Sequence, residues 1–354
     1  MDCLIEAGAN IRAPAASDGG ITLLEAAAGI FQQDYEFKFN RAWHAHDLAR
    51  FNQKSAQRIS IFKKLLAHDA EINRTDGTDS SVLHRLIQGS QIECLKLALK
   101  EEANIEDRNP IDGSTPLQCA AKSGDKEAIQ LLLHFGAEIN ASAADNHAHG
   151  RTALQAAMHN DFQGKGKPVH VIEELVWLLL HNGAEVNAPA GKCYGRTALQ
   201  AATSYAEPSA RVVVLLLKQG AQVNANPAEV GGVTALQGAA ISGDLQIAKI
   251  LIAEGANVNA GAAPTEGRTA IEGAAEHGRL EMVQLLLHAG VKAELNGWFS
   301  TAIDFATKSE RFDIADLLRK HSQEALNTFA HQLEQQLPNP GMILGEDDGD
   351  QLMS

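Results

Sequence analysis

The chain has 354 residues, 45% of them hydrophobic, and sets 44 Asp and Glu against 30 Lys and Arg for a formal net charge of −14. Nucleic-acid binding relies on basic side chains that displace condensed counterions, so this balance excludes a phosphate backbone as a general partner. No run approaches the ~18 apolar residues of a membrane span, and the start MDCLIEAGAN carries an acid where a secretory signal carries basic charge. The four cysteines, Cys3, Cys94, Cys119 and Cys193, form neither a CxxC pair nor a disulfide framework. We expect an intracellular protein, cytoplasmic or nuclear.

Two recurring words set the register. GRTALQAA stands at 150–157 and again at 195–202, with near-copies GVTALQGAA at 232–240 and GRTAIEGAA at 267–275. The second word is GAEIN at 136–140, GAEVN at 183–187, GAQVN at 220–224 and GANVN at 255–259, with degenerate versions at 8–11, 69–73, 102–105 and 290–294. The threonines of the first word, Thr115, Thr152, Thr197, Thr234, Thr269 and Thr301, are 37, 45, 37, 35 and 32 residues apart. Helix-sized segments on a period in the mid-thirties predict an all-α solenoid, in which each unit buries its apolar face only against its neighbours.

In chain order, residues 1–13 hold CLIEAGAN, the end of a second helix with no first helix before it. The expectation is a chain that starts mid-unit, as the carboxy-terminal part of a larger protein or with that end covered by something else. Units follow near 19–73, 79–106, 113–140, 150–187, 195–224, 232–259, 267–294 and 299–321. The first of these is broken by an insertion at 29–58. Residues 31–62 hold seven of the 17 aromatics of the chain, and the stretch from Asp34 to Lys64 is locally basic. These aromatics are expected to fold back over the amino-terminal end of the stack; the alternative is a partner-binding patch built on Tyr35, Phe37, Phe39 and Trp43. A second insertion at 159–170, HNDFQGKGKPVH, lacks phosphate-loop spacing and reads as a flexible loop. After the array at 1–321, apolar Ile314, Leu317, Leu318, Leu326, Phe329, Leu333 and Leu337 keep helical spacing through 322–337 and predict a long closing helix. The remainder, 338–354, is acidic and expected to be disordered.

Each word has a physical task. A threonine followed three residues later by Gln or Glu is a capping box, present as Thr115 with Gln118, Thr152 with Gln155, Thr197 with Gln200, Thr234 with Gln237 and Thr269 with Glu272. Paired alanines after it let neighbouring helices approach closely. Bulky second helices such as AIQLLLHFG and RVVVLLLKQG then stop at Gly136, Gly183, Gly220, Gly255 and Gly290, where a left-handed backbone is needed. Asp69 and Glu102 stand at that position in the first two complete units, which should be the weakest links.

Helix, turn, helix, a Gly-Ala-x-Val-Asn exit and a Gly-x-Thr-x-Leu entry resemble the ankyrin repeat over roughly residues 1–320, in about eight units. The wording GRTALQAA with NAPAG is similar to ankyrin proteins of filamentous fungi in particular. The family's Thr-Pro-Leu-His keeps proline only at Pro116 and histidine only at His84. The resemblance implies partner binding by the inner face of the first helices and by the fingers between units. Matched position by position, it implies a ladder of Arg151, Met158 and His159, then Tyr194, Arg196 and Thr203, then Val233 and Ile241, then Glu266, Arg268, Glu276 and His277.

Other chemistry finds little support. The His44/His46 and His147/His149 pairs lack a third ligand at metal spacing, and His134, His181 and His288 suit the carboxy ends of second helices, so no metal or cofactor is expected. Nucleophile elbows, zinc-protease pairs and nucleotide fingerprints are absent from the sequence. The leading expectation is a non-enzymatic, monomeric protein-interaction scaffold. A second is the sensor region of a larger fungal signalling or transcription-coregulating protein, and a third an enzyme with a hidden pocket beside the 29–58 insertion.

Overall fold

A computed structural model describes residues 24, 45–73, 81–142, 150–158, 167–204, 209–293, 297 and 299–336. The half-unit at 1–13, the aromatics Tyr35, Phe37, Phe39 and Trp43, the histidines His44, His147, His149 and His159, and the tail 338–354 lie outside the described residues.

Among the described residues, α1 spans Ala45–Ala67 and is followed by helix pairs. These are α2 (Val82–Gln88) with α3 (Ile92–Lys100), α4 (Pro116–Ser123) with α5 (Lys126–His134), and α6 (Ala153–Ala157) with α7 (Val169–His181). Further along come α8 (Ala198–Thr203) with α9 (Ala210–Lys218), α10 (Ala235–Ser242) with α11 (Leu245–Ala253), α12 (Ala270–Glu276) with α13 (Leu280–His288), and α14 (Ser300–Lys308) with α15 (Phe312–Gln336). Residues 45–58, counted from the period as part of an insertion, are helical and continue into the second helix of their unit.

First helices α2, α4, α6, α8, α10, α12 and α14 pack in series, and each also packs on its own second helix. The apolar residues accordingly form one continuous ribbon from Leu24 and Phe62 to Ile314 and Leu318. Ala156, Ala157, Ala201, Ala202, Ala239, Ala240, Ala274 and Ala275 are all buried in it. Alanine adds no bulk at these helix-to-helix contacts and costs nothing in helix propensity.

The capping boxes form in all five units that carry the word: each threonine Oγ accepts from the N–H three residues on, and the Gln or Glu side chain accepts from the threonine N–H. The glutamines have a second role that reaches across the unit. Gln118 Nε2 donates to the carbonyls of Ala141 and Ser142, Gln155 to Ala188 and Pro189, Gln200 to Ala225 and Asn226, and Gln237 to Ala260 and Gly261. One buried amide thus closes a helix start and ties down the exit of the same unit's second helix.

The closing Asn of the second word makes a ladder along the array. Asn140 Nδ2 donates to Gly183 O while its Oδ1 accepts from Glu185 N, and Asn187, Asn224 and Asn259 repeat the pair on Gly220 and Gln222, Gly255 and Asn257, and Gly290 and Lys292. Asn73 does the same with Glu102 O and Asn104 N. Glu106 occupies this position in its unit and supplies only the acceptor, to Glu138 N at 2.7 Å.

Asp69 and Glu102 have φ of 60° and 58°, whereas Gly136 and Gly183 at the same point have 91° and 89°. The two acids therefore hold the left-handed conformation that glycine adopts freely. At the far end, Ile314 and Leu318 of α15 are buried and Leu317 is half-buried, but Leu326 and Phe329 are 37% and 42% exposed. The first half of α15 covers α14, and its second half outruns the stack.

Candidate functional site

Three successive fingers carry related sequences, GKCYGRT at 191–197, AEVGGVT at 228–234 and APTEGRT at 263–269. Each turns through a left-handed residue, Tyr194, Gly231 or Glu266, with φ of 52°, 60° and 57°. The glycine that follows is imposed by space: a Cβ on Gly195 would lie 2.1 Å from Gly191 O, and one on Gly232 2.1 Å from Ala228 N. The fingers then line up as parallel bridges, Cys193 with Val230 and Val230 with Thr265. Tyr194 N–H donates to Val230 O at 2.8 Å and Gly231 N–H to Thr265 O at 2.9 Å.

Tyr194 does more than occupy a tip. Its ring crosses Gly231 so closely that a Cβ there would lie 2.2 Å from a ring carbon. Its hydroxyl donates to Glu266 Oε2 at 2.5 Å, two units away. That bond and the charge of Glu266 raise the Tyr194 pKa above the usual phenol value. Two residues of the expected ladder thus form a single strut over three fingers.

The residues before the caps point along the same row. Arg268 is held three ways: Nε donates to Glu276 Oε2 at 2.9 Å, Nη1 to Gly267 O at 2.9 Å, and the guanidinium lies 4.2 Å over the Phe305 ring. Arg151 and Arg196 are half-buried, Ile241 is half-buried, and His277 is exposed with Nδ1 3.0 Å from Gly273 O. Arg196 Nε is buried and has no hydrogen-bond partner.

Three residues of the expected ladder are not surface residues. Met158 is 1% exposed, at the carboxy end of the short helix α6 with its side chain in the core. Thr203 is 0% exposed because Gly238 of the next unit packs onto it, and its hydroxyl donates to Gln200 O at 3.1 Å. Val233 is buried at the foot of its finger. The motif position fixes which row a side chain joins, while the adjoining unit decides whether it is covered.

The titratable groups serve the scaffold. Ser81 Oγ lies 2.8 Å from His84 Nδ1, and His84 Nε2 lies 2.9 Å from Ser114 O. This pair has the look of an activated hydroxyl, yet His84 spans the same gap as the Thr–Gln staple, from the residue that starts the helix, which makes no side-chain cap bond here, to a carbonyl of the next finger. Burial lowers the His84 pKa, partly offset by the Ser114 bond and by Asp107 and Asp112. Burial likewise pushes the Cys94 and Cys119 thiols up to about 11 and about 12, so neither is a ready nucleophile. Among the described residues no group of three or more His, Cys, Asp or Glu is placed to hold a metal ion, and no helix is long and apolar enough to cross a membrane.

A family model for ankyrin repeats, in three copies, matches residues 52–143, 109–190, 169–262 and 214–297. The chain belongs to the ankyrin-repeat family. A stretch of 113 residues is 35% identical to ankyrin repeat and SOCS box protein 6 of Pongo abelii, covering 31% of this chain and 25% of that protein. Another, of 98 residues, is 28% identical to glycerophosphocholine phosphodiesterase gde1 of Schizosaccharomyces pombe, covering 28% of this chain and 8% of that protein. The ankyrin repeat domain of human ASB11 matches with a TM-score of 0.50 at 24% identity over 68% of this chain and 97% of that domain, a likeness of fold. The chain spans a quarter or less of the length of these two curated relatives. In ankyrin terms, the staples and the Asn ladder are the framework of the stack.

Proposed function

We propose that this ankyrin array is a non-enzymatic scaffold that holds a protein partner along its concave face, as a monomer in the cytoplasm or nucleus. The supporting observation is a division of labour. The repeated words, Thr, Gln, Asn and Gly, are consumed by hydrogen bonds and close approaches within the stack. The positions that change from unit to unit, Arg151, Arg196, Ile241, Glu266, Glu276 and His277, retain exposed or half-exposed surface. A rigid frame carrying a variable polar and apolar row suits recognition without loss of fold. Affinity purification comparing the wild type with an Arg151→Ala, Ile241→Asp, His277→Ala variant tests this, with Trp177→Ala on the outer helix α7 as control. The variant should lose its partners and the control keep them; the opposite pattern moves the binding face to the outer row.

A second reading makes the array the recognition region of a larger fungal signalling or transcription-coregulating protein. It draws on the Schizosaccharomyces pombe relative, in which the matching stretch is 8% of the length. An antibody against residues 232–259 that detects only a polypeptide of the size of this chain in the native cell would count against it.

A further inference from the structure

The closing helix α15 carries one exposed edge with a pattern of its own. Phe312, Arg319 and Leu326 are seven residues apart, a spacing that turns a helix by only about 20° per step, so the three share one line. Phe312 is 58% exposed and Leu326 37%, and Phe329, about one turn further on, is 42% exposed. Arg319 stands between these apolar ends. Its Nη1 donates to Asp316 Oδ1 at 2.7 Å, but the two side chains are 50% and 75% exposed, so the pair contributes little and is readily exchanged. Taken backwards from Gln336, the edge reads apolar, basic, apolar.

The sequence that follows the helix has the complementary order. Pro338 and Pro340 lack the N–H that continues a helix, and Gly341 admits a reversal of direction. Next come Met342, Ile343 and Leu344, then Glu346, Asp347, Asp348 and Asp350, then Leu352 and Met353: apolar, acidic, apolar. The lengths agree as well. At about 1.5 Å per helical residue, Gln336 lies about 10–15 Å from the level of Phe329 and Leu326, about 25 Å from Arg319 and about 36 Å from Phe312. At about 3.3 Å per extended residue, a chain leaving Gly341 covers about 7–10 Å at Ile343 and Leu344, about 20–23 Å at Asp347 and Asp348, and about 36–40 Å at Leu352 and Met353.

We propose that residues 341–353 lie back along this edge of α15 as an antiparallel strap. Met342, Ile343 and Leu344 cover Leu326 and Phe329, Asp347 and Asp348 meet Arg319, and Leu352 and Met353 cover Phe312. A second copy of the chain is the weaker occupant. Three partly exposed side chains of about 150–250 Å² each offer roughly 200–350 Å², well short of the ~800 Å² per partner of a stable interface, whereas a tethered segment sees the edge at a millimolar effective concentration. The strap is independent of the concave face, and its failure leaves the proposed function untouched.

The test follows hydrogen exchange of residues 323–336 by mass spectrometry in the full chain. Wild-type amides there should exchange about tenfold more slowly than in an Ile343→Asp, Leu344→Asp variant, whose melting curve should stay that of the wild type. Arg319→Glu should lose similar protection, and adding Asp347→Lys and Asp348→Lys to it should restore that protection, which loss of the Asp316 pair alone does not do. If Arg319→Glu melts early, the Ile343→Asp, Leu344→Asp variant alone decides. Exchange unchanged by Ile343→Asp and Leu344→Asp, or a charge reversal that fails to rescue a folded Arg319→Glu chain, overturns the strap. Protection that rises with protein concentration, together with the sedimenting mass of a dimer, assigns the edge to a second copy and overturns it too.

Discussion

Replacing Gln200 interrogates the framework where one side chain serves two ends of a unit. Gln200 is 1% exposed. Its Oε1 accepts from Thr197 N at 2.9 Å, and its Nε2 donates to Ala225 O at 2.9 Å and Asn226 O at 3.0 Å. A neutral hydrogen bond contributes about 1 kcal/mol net, so Gln200→Ala, which removes three, should cost about 3 kcal/mol. Gln200→Glu sharpens the argument. It keeps the bond to Thr197, as Glu272 does to Thr269 at 2.9 Å, but it loses both donations and turns a carboxylate toward two carbonyls. At neutral pH it should be at least as damaging as alanine, and it should recover relative to wild type as acid protonates the new carboxyl. Urea unfolding followed by far-UV circular dichroism measures the cost, and hydrogen exchange should show loosening centred on α8 and the 225–232 finger. A loss below about 1 kcal/mol for Gln200→Ala, or a Gln200→Glu variant as stable as wild type at neutral pH, would refute the two-ended staple.

Three further outcomes follow from the same frame. Asp69→Gly and Glu102→Gly relieve left-handed strain at φ of 60° and 58° and should each raise stability by about 1 kcal/mol; a urea midpoint that falls instead contradicts the strain argument. Glu106→Asn adds the donor that its unit lacks toward Gly136 O and should gain about 0.5–1 kcal/mol by the same assay, while Asn187→Ala, which breaks an intact pair, should lose stability. His84 is held neutral by burial, so the unfolded chain binds the extra proton first. Stability is therefore full above the ordinary imidazole value and falls as pH drops below about 6.5, and His84→Gln should flatten that part of a melting-temperature profile.

The cap boxes were legible because their partners are three residues apart, and a local spacing is visible in a string of letters. The exit glycines were legible through their stand-ins, since Asp69 and Glu102 share the left-handed turn. The second bond of Gln200 and both bonds of Asn187 were hidden, because they join residues 25 to 35 positions apart that meet only once a unit's helices pair, for Gln200, or neighbouring units stack, for Asn187. The same limit explains the ladder. Thr203 sits in the right row, but Gly238 of the next unit closes over it. Tyr194 and Glu266 were both matched to finger positions, yet only the missing side chain of Gly231 between them lets the ring span three fingers.

The proposed function has the repeated words carrying the stack and the variable row free to bind. One measurement addresses both halves: the melting curve and the affinity-purified partners of an Arg196→Met, Ile241→Asp, His277→Ala variant, set beside wild type. The expected result is a melting curve close to wild type and the loss of bound partners. A variant that melts far earlier, or one that keeps every partner, would contradict it.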